Sequence, residues 1–513
     1  MTAPSSATPP RHHAAPRGLA AIAGEDPDRT ALVSAGARTT FAELDAQANA
    51  VAHAVAAAGV GPGERVAVML DNSVALFAAW YGAARLGALV VPVSTRLTAP
   101  EASYIVADSG AIVLVHDGSA AAAATVSSVP VAGLDVTDTS LLAPVAAPPR
   151  DDYLGTPVVT MSYTSGTTGR PKGIARPAPP ASREAPPNPF ASFWGLLPGD
   201  VHLMCGPGYH MAPSAYAQMS LIEGGTVVVM ARFDATEALR LIETERVTTA
   251  SMVPAHFIRI LEADWPSYDR SSVRKVLHAA APCPVPVKRR IMDVFPPGTV
   301  WEYYGASEGM ASVISPEEWL AKPGSVGRPF PGLTLRILDD TGTELPPGEV
   351  GAIYISAFGG QRFGYHNDAD KTDRAWRDDY FTVGDMGSID EDGYLFLADR
   401  RTDLILSGGV NVYPAEVETA LAEDPDVVDA AVFGLPDDRM GQKVHAVVEL
   451  RPGAPADAEA LLARLAGRLA DYKRPRTVEF VDVLPRQDNG KVMKARLRAE
   501  RMEPAAAGPL REG

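Results

Sequence analysis

Apolar positions along this chain switch between two spacings. Residues 40–60 repeat apolar side chains at the helical period, and 64–70 then read as a strand. Residues 77–87 are helical again, while 88–93 form a continuous apolar, strand-like run. Such alternation predicts an α/β fold with largely parallel sheets. Residues 158–162 predict a further short strand. Residues 119–150 are rich in Ala, Val and Pro with weak patterning, which predicts peripheral connections. Six prolines within 176–189 exclude a regular element and predict a surface loop. Past residue 345 the pattern becomes strand and turn, with strands at 351–355, 381–383 and 393–397. A boundary is predicted just after Arg400. Beyond it come helix 414–422, strands 427–433 and 444–450, helix 457–469 and strand 477–481, enough for a small α+β domain.

Composition narrows the functional classes. The chain has 513 residues, 46% of them hydrophobic, so it can bury a large core in more than one domain. Its formal charge of -16 excludes a nucleic-acid partner, because no basic excess exists to neutralise phosphates. Cys205 and Cys283 are the only cysteines, too few for a disulfide framework or a metal cluster, and they point to a reducing cytoplasm. Residues 1–17 read as a disordered tail. The longest apolar stretch, 74–93, is interrupted by Arg85 and Gly87, so no membrane span is expected. Monomer and homodimer are both compatible with the sequence.

The run from Tyr163 to Gly173 carries the most chemistry. It packs three glycines, four Ser/Thr hydroxyls and Lys172 into eleven residues. Glycines let backbone N–H groups turn toward an anion, hydroxyls add donors, and the lysine adds charge, as a polyphosphate requires. Pro171 before the lysine and the missing Gly-Lys-Ser/Thr ending exclude a Walker loop. The run resembles the phosphate loop of the adenylate-forming superfamily, which includes acyl-CoA synthetases, amino-acid adenylation domains and firefly-type luciferases. Further motifs of that family recur in order along the chain.

The resemblance implies a large N-terminal domain (18–400) of stacked mixed sheets with flanking helices and a β-rich subdomain, followed by a mobile lid (401–513). It places Thr164, Ser165, Gly166, Thr167, Thr168, Gly169 and Lys172 on the ATP phosphates. Ala279, Ala280, Ala281 and Pro282 resemble the turn beside adenine and the acyl pocket. The run Glu302-Tyr-Tyr-Gly-Ala-Ser-Glu308 is similar to the family's Tyr-Gly-x-Thr-Glu motif. Tyr303, Tyr304, Gly305, Ala306 and Ser307 would border the nucleotide, with Tyr304 stacking on the base and Glu308 binding Mg2+. Asp385 would accept the ribose hydroxyls, and Arg400 would contact ribose and phosphate. Lys491, in a Leu-Pro…Gly-Lys motif, would bridge carboxylate and α-phosphate during adenylation. Thr402 stands where the family usually has a hinge Asp or Lys.

For the second half-reaction, Gly408 and Gly409 resemble the loop that approaches pantetheine. Arg96, Met440, Tyr472, Lys473 and Arg474 occupy positions implied to contact coenzyme A. His210 matches a histidine at the acyl pocket that can gate the thiol's approach. Met211, Ser214, Met252, Val253, Ala281 and Met310 would line a roomy apolar pocket. The implied activity is ATP- and Mg2+-dependent ligation of a medium or bulky hydrophobic acid to coenzyme A through an acyl-adenylate. A carrier protein could replace coenzyme A as acceptor. Ser307, Thr402 and the proline-rich stretch leave open an enzyme that retains only one half-reaction. A catalytically silent homologue would have no chemical need for Lys172, Glu308, Asp385, Arg400 and Lys491 together.

Overall fold

The computed structural model describes residues 18–164, 171–400, 403–407, 410–437, 440–466, 468–487 and 490–502. They form two compact units. The first contains the chain up to Ser251 with Tyr268–Val273 and Phe363–Ala369; the second contains Met252–Ser267, Arg274–Arg362 and the chain from Asp370 onward.

In the first unit, strands Leu89–Pro92, Arg65–Met69, Val113–His116 and Ala132–Asp135 lie side by side, all parallel. Helices Val74–Ala84, Ala99–Ser109 and Ala120–Ser128 make the crossovers. A second parallel array orders Thr249–Met252, Val201–Met204, Thr226–Val229 and Thr30–Ser34, closed at one edge by antiparallel Ala37–Thr40. The helical period at 40–60 becomes helix Phe41–Ala57, started by a capping box between Thr40 and Glu43. Its Phe41, Leu44 and Val51 join Leu76, Phe77 and Trp80 in a core shared with Val66, Val90, Leu32 and Val227. The expected strand at 158–162 does not form. There Val159 and Met161 only bracket Val90 with two hydrogen bonds, of 2.9 and 2.8 Å, and the regular strand is Tyr163–Thr164. Residues 119–150 are more ordered than their patterning suggests, because Ser119 caps the alanine-rich helix and Ala132–Asp135 completes the sheet edge.

In the second unit, Lys275–His278, Val300–Gly305, Met310–Ile314, Ser325–Pro329, Leu395–Arg400, Asp385–Ile389 and Gly351–Ser356 run in that order across one sheet. Only the first pair is parallel; the others whose register is defined are antiparallel. The segment from Ile405 onward builds a separate sheet around the long pair Val427–Asp437 and Gly441–Leu450, with Thr477–Val481 alongside. Its core joins Ile405, Val417, Leu421, Val432, Val448 and Leu461. Among the described residues no helix is long and apolar enough to cross a membrane.

His256, on helix Pro254–Glu262, is buried, and its imidazole is pushed down to about 3, first by burial and then by Arg259. The unfolded chain therefore takes up a proton at this site before the folded chain does, so stability falls as pH drops below about 6.5. A His256→Leu variant lacks that uptake. The stability difference between wild type and variant is expected to move toward the variant by about 1.4 kcal/mol per pH unit below about 6.5. Denaturant titrations of both proteins measure it, and a difference that stays flat between about pH 7 and 5 contradicts it.

Candidate active site

The phosphate-loop candidate is the connection of a hairpin. Tyr163–Thr164 pairs antiparallel with Lys172–Ala175, which sets Thr164 directly opposite Lys172 at the base of the loop. Ser165, Gly166, Thr167, Thr168 and Gly169 lie outside the described residues. Two contacts moor the hairpin. The Tyr163 hydroxyl donates to Asp108 Oδ2 at 2.7 Å, and burial together with that carboxylate pushes the phenol pKa up. The Tyr104 hydroxyl donates to the Pro171 carbonyl at 3.2 Å. Gly364–Tyr365 adds a third strand and brings Asp368 to 3.4 Å from Lys172 Nζ. The lysine is thus held by a carboxylate that an arriving phosphate would have to replace.

His210 occupies the N-cap position of helix Met211–Ile222, with extended φ/ψ of -92° and 145°. Its ring meets Tyr209 edge-on at 4.8 Å. The Met211 sulfur accepts from the Thr160 hydroxyl at 3.9 Å, and the buried Ser214 donates to the Met211 carbonyl at 3.0 Å. The segment leading to His210 is clamped by Asn72, a buried residue that no sequence motif singles out. Asn72 Nδ2 donates to the carbonyls of Gly206 and Met230 at 2.9 and 2.8 Å, and its Oδ1 accepts the Gly208 N–H at 2.7 Å. Gly208 packs closely there: a Cβ would lie 2.5 Å from Leu76 Cδ2, so a larger residue would require the Leu76 side chain to shift. An Asn72→Ala variant leaves three buried backbone groups unpaired, so it is expected to lose about 2–3 kcal/mol of stability. Asn72→Asp does not restore it, because a carboxylate cannot donate to two carbonyls. The urea midpoint checks both variants.

The second unit carries the nucleoside candidates. Strands Lys275–His278 and Val300–Gly305 are parallel neighbours with His278 opposite Glu302. Residues 279–282 and Tyr303–Gly305 therefore emerge at the same carboxyl end, the usual place for a ligand crevice in parallel sheets. Ala280 has φ of 76°, an unusual backbone for an L-residue and a mark of imposed geometry. Ala306 and Gly309 exchange backbone hydrogen bonds of 2.9 and 3.1 Å, which makes Ser307 and Glu308 the tip of a four-residue turn. The Tyr304 hydroxyl donates to Asp385 Oδ2 at 2.7 Å, and Asp385 is the register partner of Arg400. Three segments distant in sequence thereby share one locus.

Lys491 follows Gly490 in a turn closed by Gly490 N–H to Gln487 O at 2.8 Å and Gln487 N–H to Lys491 O at 2.7 Å. Gly490 has φ of 81°, and a Cβ there would lie 2.9 Å from Val253 Cγ2. The lysine turn thus rests on the start of helix Pro254–Glu262, next to the pocket candidates Met252 and Val253. Met310 opens the strand after the Glu308 turn. Tyr472 is exposed, Lys473 Nζ donates to Glu416 Oε1 at 2.6 Å, and Arg474 pairs with Asp471. The Met440 N–H donates to Asp437 Oδ1 at 2.9 Å. Arg96 belongs to the first unit and is exposed. Thr402, Gly408 and Gly409 lie outside the described residues.

The profile of the AMP-binding enzyme family matches residues 19–361, and that of the AMP-binding enzyme C-terminal domain matches 416–491. The chain is 35% identical over 491 residues to the fatty acid–[acyl-carrier-protein] ligase ScoC of Streptomyces coeruleorubidus, covering 93% of this chain and 94% of that one. It is 36% identical over 486 residues to a feruloyl-CoA synthase of an Amycolatopsis species, covering 92% and 96%. Its fold superimposes on o-succinylbenzoate CoA synthetase (MenE) from Bacillus subtilis in complex with the acyl-adenylate intermediate. The TM-score there is 0.81 at 30% identity, covering 96% of this chain and 99% of that one. By its sequence along nearly its whole length and by its fold, this chain belongs to the AMP-binding enzyme family of adenylate-forming ligases.

Proposed function

We propose that this protein activates a medium or bulky hydrophobic carboxylic acid with ATP and transfers the acyl group to the thiol of coenzyme A. The observation that carries the nucleotide half is the convergence of Tyr304, Asp385 and Arg400 described above. Tyr304 would stack on adenine, Asp385 would accept the ribose hydroxyls, and residues 279–282 would border the base. Thr164 and Lys172, with the loop they close, would take the phosphates after Lys172 releases Asp368.

The residues fit Mg2+. No cluster of three or more His, Cys, Asp or Glu able to cage a metal exists among the described residues. Magnesium bound through one carboxylate and substrate phosphates needs no such cage, and Glu308 at its turn tip supplies the carboxylate. The ion would neutralise charge on the departing pyrophosphate. Lys491, carried by the proposed lid 401–513, would sit between the acid's carboxylate and the α-phosphate as a compact point charge. His210 would then flank the thiol's path to the acyl carbon. Met211, Ser214, Met252, Val253, Ala281 and Met310 supply small or pliable surface without a carboxylate for an amino group, which favours an apolar acid.

Acceptor choice has a second reading. Lys473 and Arg474, the proposed grips on coenzyme A phosphates, are each already held by a carboxylate. One relative is a ligase for an acyl-carrier protein. A carrier's pantetheine arm would need neither grip. The test follows pyrophosphate release without acceptor on a panel of hydrophobic acids, then thioester formation with coenzyme A and with a phosphopantetheinylated carrier protein. Turnover with coenzyme A supports the proposal. Turnover with the carrier alone assigns the second reading, and thioester from acyl-adenylate without any pyrophosphate release overturns the adenylation step.

A further inference from the structure

Beneath the two segments that would face the nucleotide lies a buried cluster of ionisable side chains that the proposed mechanism does not use. Lys288, on helix Val285–Val294, is fully buried, and its Nζ donates to Glu302 Oε2 at 2.6 Å. His278 Nε2 stands 3.6 Å from the same oxygen, and neither ring nitrogen of His278 has a hydrogen-bond partner among the described residues. Phe257 closes one side edge-on to His278 at 5.0 Å, and the Trp319 ring lies 5.2 Å from Lys288 Nζ. His278 and Glu302 are register partners on adjacent parallel strands. Residues 279–282 leave directly from His278. Tyr304 is two positions after Glu302 and so on the same face of its strand, about 7 Å along.

We infer that Lys288 and Glu302 are positioning residues for the nucleotide, a buried ion pair that locks the strand leading to Tyr304 to the helix that follows residues 279–282. The inference rests on the nucleotide reading of Tyr304 and residues 279–282. A buried pair adds little net stability, yet removing one member strands a charge in the core. The strand carrying Glu302 must then shift or admit water, and Tyr304 moves with it. Replacing both members by neutral side chains of similar volume leaves no stranded charge.

The experiment uses the full chain and the variants Lys288→Met, Glu302→Gln and the double variant. It measures AMP binding by calorimetry, KM for ATP and for the acid, kcat and Tm. AMP binding to wild type tests the nucleotide reading by itself, and its absence overturns that reading and the inference with it. Each single variant is expected to raise KM for ATP about tenfold and weaken AMP binding in proportion, with the acid's KM within about twofold. The double variant is expected to return most of that loss. Should the single variants not fold, Glu302→Asp keeps both charges but shortens the bridge, and it too is expected to raise KM for ATP. Folded variants with unchanged KM for ATP overturn the inference. So does a loss of kcat and all affinities in step with Tm that the double variant fails to restore.

Discussion

Lys491→Ala is expected to lower acid-dependent pyrophosphate release by about 10²–10³-fold, the usual cost of losing one preorganised charge at a developing transition state. Thioester formation from a synthetic acyl-adenylate should stay within about threefold of wild type, because the bond that Lys491 is proposed to assist is already made. The turn explains why the effect is local. Gly490 and Gln487 hold the backbone by their own hydrogen bonds, and Arg486 anchors the hairpin through Asp429 and the Gly490 carbonyl. Removing the ammonium leaves all of these in place. Lys491→Arg should recover little, since a planar fork does not replace a compact charge between two oxyanions. Assaying the half-reactions separately decides the matter: equal losses in both, or no loss in either, would remove Lys491 from the adenylation step.

Asp385→Asn is expected to raise KM for ATP by about 10–100-fold, with kcat much less affected. A carboxylate accepts from several donors at once, and here one oxygen already takes the Tyr304 hydroxyl at 2.7 Å. In the proposed role the carboxylate would also accept the ribose hydroxyls as charge-assisted hydrogen bonds, each worth about 1.5–3 kcal/mol. An amide would have to turn its NH2 toward one of these donors. Tyr304→Phe retains the ring and removes the hydroxyl that donates to Asp385, so its effect on KM should be near fivefold, about 1 kcal/mol. The double variant then reports coupling: a non-additive cycle places Tyr304 and Asp385 in one network, whereas full additivity would make them independent.

Local pattern and motif spacing were legible in this sequence for simple reasons. Thr40 and Glu43 advertise a helix start because both halves of a capping box lie within one turn. The alternation of strand and helix in residues 64–93 survives in the structure because those segments are buried on both faces. The loop from Tyr163 to Gly173, the run from Glu302 to Glu308 and the Gly490–Lys491 pair are contiguous, so their candidate chemistry can be read without knowing what surrounds them.

Partners of these groups come from elsewhere in the chain, and no local rule announces them. Asp108 and Asp368 moor the phosphate-loop hairpin from 55 residues before Tyr163 and from beyond residue 360. Asn72 reads as an ordinary turn residue until three backbone groups from two distant segments close on it. Residues 158–162 look like a strand, but a ladder needs a run of neighbours in register, and the stretch is offered isolated bonds, two with Val90 and one from Ile174 N–H to Ser162 O. Lys288-Arg289-Arg290 has the look of a solvated basic run. Its first member is instead fully buried, because Glu302 and Trp319 meet it there. Near neighbours along the chain thus set the family, the order of the elements and the groups able to do chemistry. Which charges face each other was settled on packing, because Coulomb and hydrogen-bond energies depend on distances that segments far apart in the chain acquire only when folded.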